Sequence, residues 1–259
     1  MLSGAERWLA AQGRFDRAAS VARVRKRLQD QDGLDDIPLE VATLEASITR
    51  YKEAWNENDL TPKLVNETWD AFWKAFAKEA KLADELEIPP CDRYASELTA
   101  LRKQNRGVVL LPDTYMTDSR LWKVMSPLHT NSKLPITNFT TKGGCIDVEM
   151  TESPSYLGHT TEEAIDGFMA HERVGQRFPT YLAASYFRSL LTMGNSYFDR
   201  NTGGSILLSS TVPDINNGNN PTTLHVSRHL NGGISIYPYN VTLYMQNPSI
   251  GFRSEGKKK

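Results

Sequence analysis

Cysteine is almost missing. Two residues, Cys91 and Cys145, in a chain of 259 are too few for a disulfide framework and match no CxxC pattern, which points to a reducing compartment. Long apolar runs are missing too. None approaches the ~18 residues that a membrane helix needs. The opening MLSGAERWLAAQGRFDR lacks the unbroken apolar stretch of a secretory signal, and Glu6 and Asp16 weaken its likeness to an Arg-rich transit peptide. These absences predict a cytoplasmic chain, in which the glycosylation triplets NET, NFT and NVT carry no meaning.

Excess charge of one sign is also lacking. A net charge of -1 excludes a chain built mainly to coat nucleic acid, while leaving room for a local basic patch. Hydrophobic residues at 39% and charged residues at 24% are ordinary globular usage, which excludes wholesale disorder and fibrous repeats. The glycine pairs in TKGGCI, NTGGSI and LNGGIS never give the GxxxxGK[ST] or GxGxxG order leading into a helix, so they read as turns and no cofactor is expected.

What is present divides near Gly107. Up to residue 106, apolar residues recur at helical spacing. Val41, Leu44, Ile48, Tyr51 and Trp55 form one seam after Pro38; Val65, Trp69, Phe72 and Phe76, widened by Leu64 and Trp73, form a second after Pro62; Tyr94, Leu98 and Leu101 form a weaker third. Proline suits the first turn of a helix, where its missing N–H has no partner to lose. Short polar breaks between the seams predict a helical hairpin or three-helix bundle. The rival is a coiled coil completed by a second copy.

The first helix differs from these. Arg14, Arg17, Arg23, Arg25, Lys26 and Arg27 crowd RFDRAASVARVRKRLQD, beside a thin stripe of Val21, Val24 and Leu28. Such a face suits phosphates or an acidic partner, or is a solvated face answering the acidic DQDGLDD that follows.

After Gly107 the texture changes to α/β. VVLLP, LPITNFTT, CIDVEM and SILLSS read as strands. Thr160 and Glu163 have the form of a capping box, predicting a helix that buries Ala164, Ile165, Phe168 and Met169. Pro179 opens another helix with Leu182, Tyr186, Phe187 and Leu190 on its buried side. The fold class is therefore α+β: residues 1–106 a helical arm, 107–255 a mixed α/β domain ending in a β-hairpin, and 256–259 a basic tail.

The hairpin lies in HVSRHLNGGISIYP, 225–238. A three-residue loop, 231–233, groups Leu224, Val226, Leu230, Ile234 and Ile236 on one face. His225, Ser227 and His229 then stand opposite Tyr239, Tyr237 and Ser235. Two histidines four apart on a strand are ~13 Å apart, too far to share a metal, and no Glu completes an HExxH motif. No metal is expected. His225, Ser227, Tyr237 and Tyr239 instead form a ladder suited to stacking on a ligand or partner, or an ordinary solvent face of cross-strand pairs.

Catalytic constellations are weaker. Cys145 beside His129, His159 or His171 has no local signature of a nucleophile and base. Asp113, Asp118, Asp147, Glu149 and Glu152 sit near strand ends, where acid/base pairs are found, but loops also collect acids for solubility.

TTEEAIDGF, FPTYL opening a helix, SILLSSTVPDI and SIGFR together make the stretch 156–253 resemble an uncharacterised bacterial family known only as a domain of unknown function. The resemblance implies an α/β unit and a bacterial source, and it carries no activity or site residues. The leading expectation is a non-catalytic interaction or assembly module that meets a protein partner, or itself, through the helical arm. The alternatives are a nucleic-acid-associated protein using the basic first helix and an enzyme with a site in the α/β domain.

Overall fold

A computed structural model describes residues 39–80, 86–113, 143–192, 198–199, 202–214, 220–228, 234–239 and 247–256. The basic cluster from Arg14 to Arg27, the strand expected at LPITNFTT and the loop of the hairpin lie outside these residues. The class is mixed α+β, with five helices and two four-stranded sheets among the described residues.

Helix α1 runs Leu39–Glu57 and α2 runs Pro62–Ala80. The chain reverses between them through Asn58 at φ 60, a conformation Asn tolerates better than most residues. The seams behave as their spacing predicts: Ile48 and Tyr51 of α1 and Val65, Trp69, Phe72, Trp73 and Phe76 of α2 are buried. Helix α3, Ala95–Lys103, leads into strand β1, Arg106–Leu111. Leu98 is buried, whereas Tyr94 caps the start of α3 and is 77% exposed, because a residue at the cap faces out of the helix's apolar stripe.

One sheet has the order β1-β2-β8-β3, formed with β2 at Gly144–Glu149, β3 at Arg173–Gly175 and β8 at Ser254–Gly256. All its pairings are antiparallel. The other has the order β6-β5-β4-β7, with β4 at Gly204–Asp214, β5 at Asn220–Arg228, β6 at Ile234–Tyr239 and β7 at Ile250–Phe252. There β7 runs parallel to β4 and the other pairs are antiparallel. Strands β7 and β8 are separated by one residue, Arg253, so the chain changes sheets at a single position.

Helix α4, Thr161–Ala170, begins at the expected capping box: the Thr160 hydroxyl accepts from Glu163 N–H and the Glu163 carboxylate accepts from Thr160 N–H. Its buried face is narrower than expected. Ala164 and Phe168 are buried against Ile206 and Phe252, while Ile165 and Met169 face outward, 37% and 71% exposed. The α4 face closes on Tyr156, whose ring stacks edge-on against Phe168 at 5.0 Å. That ring occupies the space where Gly167 would carry a Cβ.

Helix α5, Phe178–Leu191, with Pro179 in its first turn, is buried almost all round. A helix apolar on every side belongs at the centre of a fold, and α5 touches α1, β1 and β4. Phe187 stacks on Trp69 at 4.4 Å and meets Tyr51 edge-on at 5.0 Å. The aromatic seams of the helical arm are thus covered within the chain by α5 and β1. The hydrophobic core is continuous across residues 106 and 107.

The hairpin register differs from the expected one by two residues. His225 pairs with Tyr237, Ser227 with Ser235 and Thr223 with Tyr239, where the expected partners of His225 and Ser227 were Tyr239 and Tyr237. An even shift keeps each residue on its own face of the pleat, which is why Leu224 and Val226 are buried as expected. Burial specifies the face; it does not distinguish registers two residues apart.

Candidate functional site

The densest chemistry lies where β7 passes into β8. Arg253 is fully buried, flanked by the buried Phe252 and Ser254, and its guanidinium is surrounded. Nη2 donates to Asp199 Oδ1 at 2.9 Å and to Glu152 O at 2.6 Å; Nη1 donates to Thr151 O at 3.2 Å; Nε donates to Ser205 Oγ at 3.2 Å. The Glu149 carboxylate stands 3.7 Å from Nη1 and the Phe198 ring lies 4.0 Å beneath the guanidinium carbon. Asp199, also fully buried, accepts from Tyr181 Oη at 2.8 Å. Burial works to lower the arginine's pKa, but Asp199 and then Glu149 overcome it, and the net shift is upward. The cation is locked in its charged form.

Two further buried arginines brace the first sheet. Arg106 of β1 reaches across β2, with Nε donating to Asp147 Oδ1 at 2.8 Å and Nη1 to Ser254 Oγ at 3.1 Å. Arg177, before α5, donates through Nε to Glu255 Oε1 and through its backbone N–H to Glu255 Oε2 at 3.1 Å. Burial pushes the Glu255 carboxyl above the usual carboxylate range, against the pull of Arg177. These guanidinium–carboxylate contacts are charge-assisted and directional, which makes them good locators of strands relative to one another. Buried pairs of this kind specify an arrangement more than they add net stability.

The expected carboxylates are distributed accordingly. Asp147 belongs to Arg106, Glu149 stands beside Arg253, and the Glu152 backbone serves Arg253 and Asp199. Asp113 accepts from the backbone N–H of Gly143 at 2.6 Å. Asp118 lies outside the described residues, as does His129. His159 is exposed, near Tyr156, and His171 closes the end of α4. Cys145 is partly buried and packs against the edge of the main hydrophobic cluster.

Of the expected ladder, His225 is partly buried. Its Nε2 lies 3.1 Å from the Gly203 carbonyl oxygen, a contact that requires the proton on Nε2 because the carbonyl only accepts. Burial lowers its pKa, opposed by the hydrogen bond to Gly203 and the charge of Asp199. The ring is turned towards β4. Ser227 is partly exposed, and β6 places Tyr237 opposite His225 and Tyr239 opposite Thr223.

Sequence reasoning missed Arg106, Arg177, Asp199, Arg253 and Glu255 as a connected set. A signal was there: Arg106 precedes GVVLL and Arg253 follows SIGF, each a lone charge adjoining a strand's apolar run, where an arginine needs a carboxylate partner. Among the described residues no group of three or more His, Cys, Asp or Glu is placed to hold a metal ion, and no helix is long and apolar enough to cross a membrane. The chain matches no family model, no curated protein and no solved structure.

Proposed function

We propose that the chain is a non-catalytic protein-interaction module whose contact surface is the outer face of α4. The carrying observation is the pair Ile165 and Met169, one helical turn apart and both exposed, on a helix whose opposite face is already buried by Ala164 and Phe168. Residues four apart are neighbours on a helix surface, so the two form one apolar ridge. Exposed Glu162, Asp166 and Glu172 surround it. The chemistry fits a partner that offers an apolar side chain beside basic groups, the flexible methionine adapting to the anchor's shape.

This places the contact away from the aromatic seams of α1 and α2, which are spent on the chain's own core. The finer reading of the N-terminal helices as an assembly arm would have to rest on their charged outer faces. The resemblance of residues 156–253 to a bacterial domain of unknown function is consistent with an α/β platform carrying such a helix, and adds no activity.

The test is affinity capture from source-cell extract with the full chain and with the double variant Ile165→Ser/Met169→Glu, each with and without nuclease. Proteins retained by the native chain, insensitive to nuclease and lost with a variant of unchanged melting temperature support the reading. The same proteins on both baits overturn it. Loss with nuclease would transfer the function to nucleic acid and the arginines from Arg14 to Arg27.

A further inference from the structure

Helix α4 carries acids that no cation answers. On α2, Glu67 is met by Arg50 and Lys63 and Asp70 by Lys74, and beside α3 Arg93 meets Asp92 and Glu97. From Thr161 to Glu172 the chain has four carboxylates and no lysine or arginine. Glu163 is engaged in the capping box. Glu162, Asp166 and Glu172 are exposed, with no ion-pair partner among the described residues. Glu162, Ile165, Asp166 and Met169 follow at i, i+3, i+4 and i+7, the spacing that puts them on one face of the helix. That face alternates acidic and apolar groups, all of them open to solvent.

The same chain contains the complement. Residues 14–28 hold six lysines and arginines against one acid, Asp16. Within them Arg17, Val21, Val24, Arg25 and Leu28 recur at the same spacing, with the charge reversed. The acids at Asp30, Asp32, Asp35 and Asp36 also answer this charge, but they accompany no apolar pair like Ile165 and Met169. Residues 29–38 join the basic stretch to α1 and span up to ~35 Å when extended, about twice the radius of gyration of a domain this size.

We propose that residues 14–28 dock on the outer face of α4 in the same chain, covering this surface until a partner displaces them. The inference rests on reading α4 as a contact surface and adds its regulation. Val21, Val24 and Leu28 supply apolar side chains to Ile165 and Met169, and Arg17 and Arg25 supply charge to Glu162 and Asp166. Exposed ion pairs are individually weak. The tether compensates, because a short linker holds the segment at an effective concentration on the order of millimolar. A partner with a better-fitting apolar anchor then displaces it.

The experiment uses the purified full chain with p-benzoylphenylalanine in place of Met169, irradiated and mapped by mass spectrometry. A cross-link to residues 14–28 within a product of monomer mass is the expected result. Cross-links only to other segments, only between chains, or none at all overturn the proposal. Arg17→Glu/Arg25→Glu should abolish the cross-link, and adding Glu162→Arg/Asp166→Arg should restore it. A cross-link indifferent to the first pair, or not restored in a swapped chain of unchanged melting temperature, also overturns it. The native side chain gives a second readout that needs no α4 variant. Under hydrogen peroxide the covered Met169 should oxidise several-fold more slowly in the native chain than in Arg17→Glu/Arg25→Glu, and equal rates overturn the proposal. No partner takes part in these measurements, so their failure leaves the α4 reading itself to the capture experiment.

Discussion

The indole N–H of Trp69 donates to the backbone carbonyl oxygen of Val108 at 3.0 Å. Four residues on, Trp73 donates in the same way to Leu110. The match is geometric: four helical residues rise ~6 Å, and two strand residues span ~6.6 Å. Met150 N–H donates to Asn105 O, so the outward-pointing carbonyls of β1 fall at Val108 and Leu110 by antiparallel alternation. Strand β1 is the edge of its sheet, and α2 closes that edge with two side-chain donors, removing a template for unwanted strand pairing.

Trp69→Phe should therefore cost more than its small change in volume implies. It leaves the Val108 carbonyl buried without its partner, a loss of about 1–3 kcal/mol. Urea unfolding of the variant measures it, and an unchanged midpoint would show that the bond contributes nothing.

Asp199→Asn should be among the most damaging single-atom exchanges in the chain. It keeps a residue tolerant of the positive φ at this position, 60°, while removing the charge opposite Arg253. Leaving a buried cation undercompensated costs about 3–5 kcal/mol. Tyr181→Phe, which deletes one donor to the same carboxylate, should cost about 1.5–3 kcal/mol. Thermal melts should preserve that order; a reversed order would mean that the Tyr181 bond, not the charge, holds the junction.

His225 should make stability pH-dependent. Its folded pKa is lowered, chiefly by burial, so the unfolded chain binds a proton more readily than the folded one. The contribution is present in full above the ordinary histidine pKa of ~6.5 and is lost as pH falls through the folded value. Denaturant midpoints followed downward from neutrality should fall less steeply in His225→Gln than in the native chain. Parallel curves would place the titration elsewhere.

Gly167→Ala raises helix propensity by about 1 kcal/mol but puts a methyl group into the Tyr156 ring. The ring must leave Phe168, and overpacking of this kind costs about 1–3 kcal/mol. The net effect should be destabilising in the native background and stabilising in Tyr156→Ala. A double-mutant cycle by calorimetry tests this, and additivity of the two changes would remove the proposed clash.

Local rules made much of the chain legible. Proline at 62 and 179, the capping box at Thr160 and the aromatic spacing of α2 each marks an element by a cause that acts within a few residues, and those elements stand where expected. The face of the hairpin was readable for the same reason, since alternation alone assigns Leu224 and Val226 to the core.

Its register was not, because two residues more or less leave that alternation intact. Nor was the outward turn of Ile165 and Met169, which depends on how much of α4 its neighbours cover. Arg253, Asp199 and Tyr181 are brought together from separate segments. The amino-acid sequence by itself determined helices, strands and their apolar faces, because these follow from short-range sterics, capping and periodicity. Which buried charge meets which and which carbonyls the tryptophans close were decided only by the tertiary structure, where long-range packing sets distances that spacing along the chain does not encode.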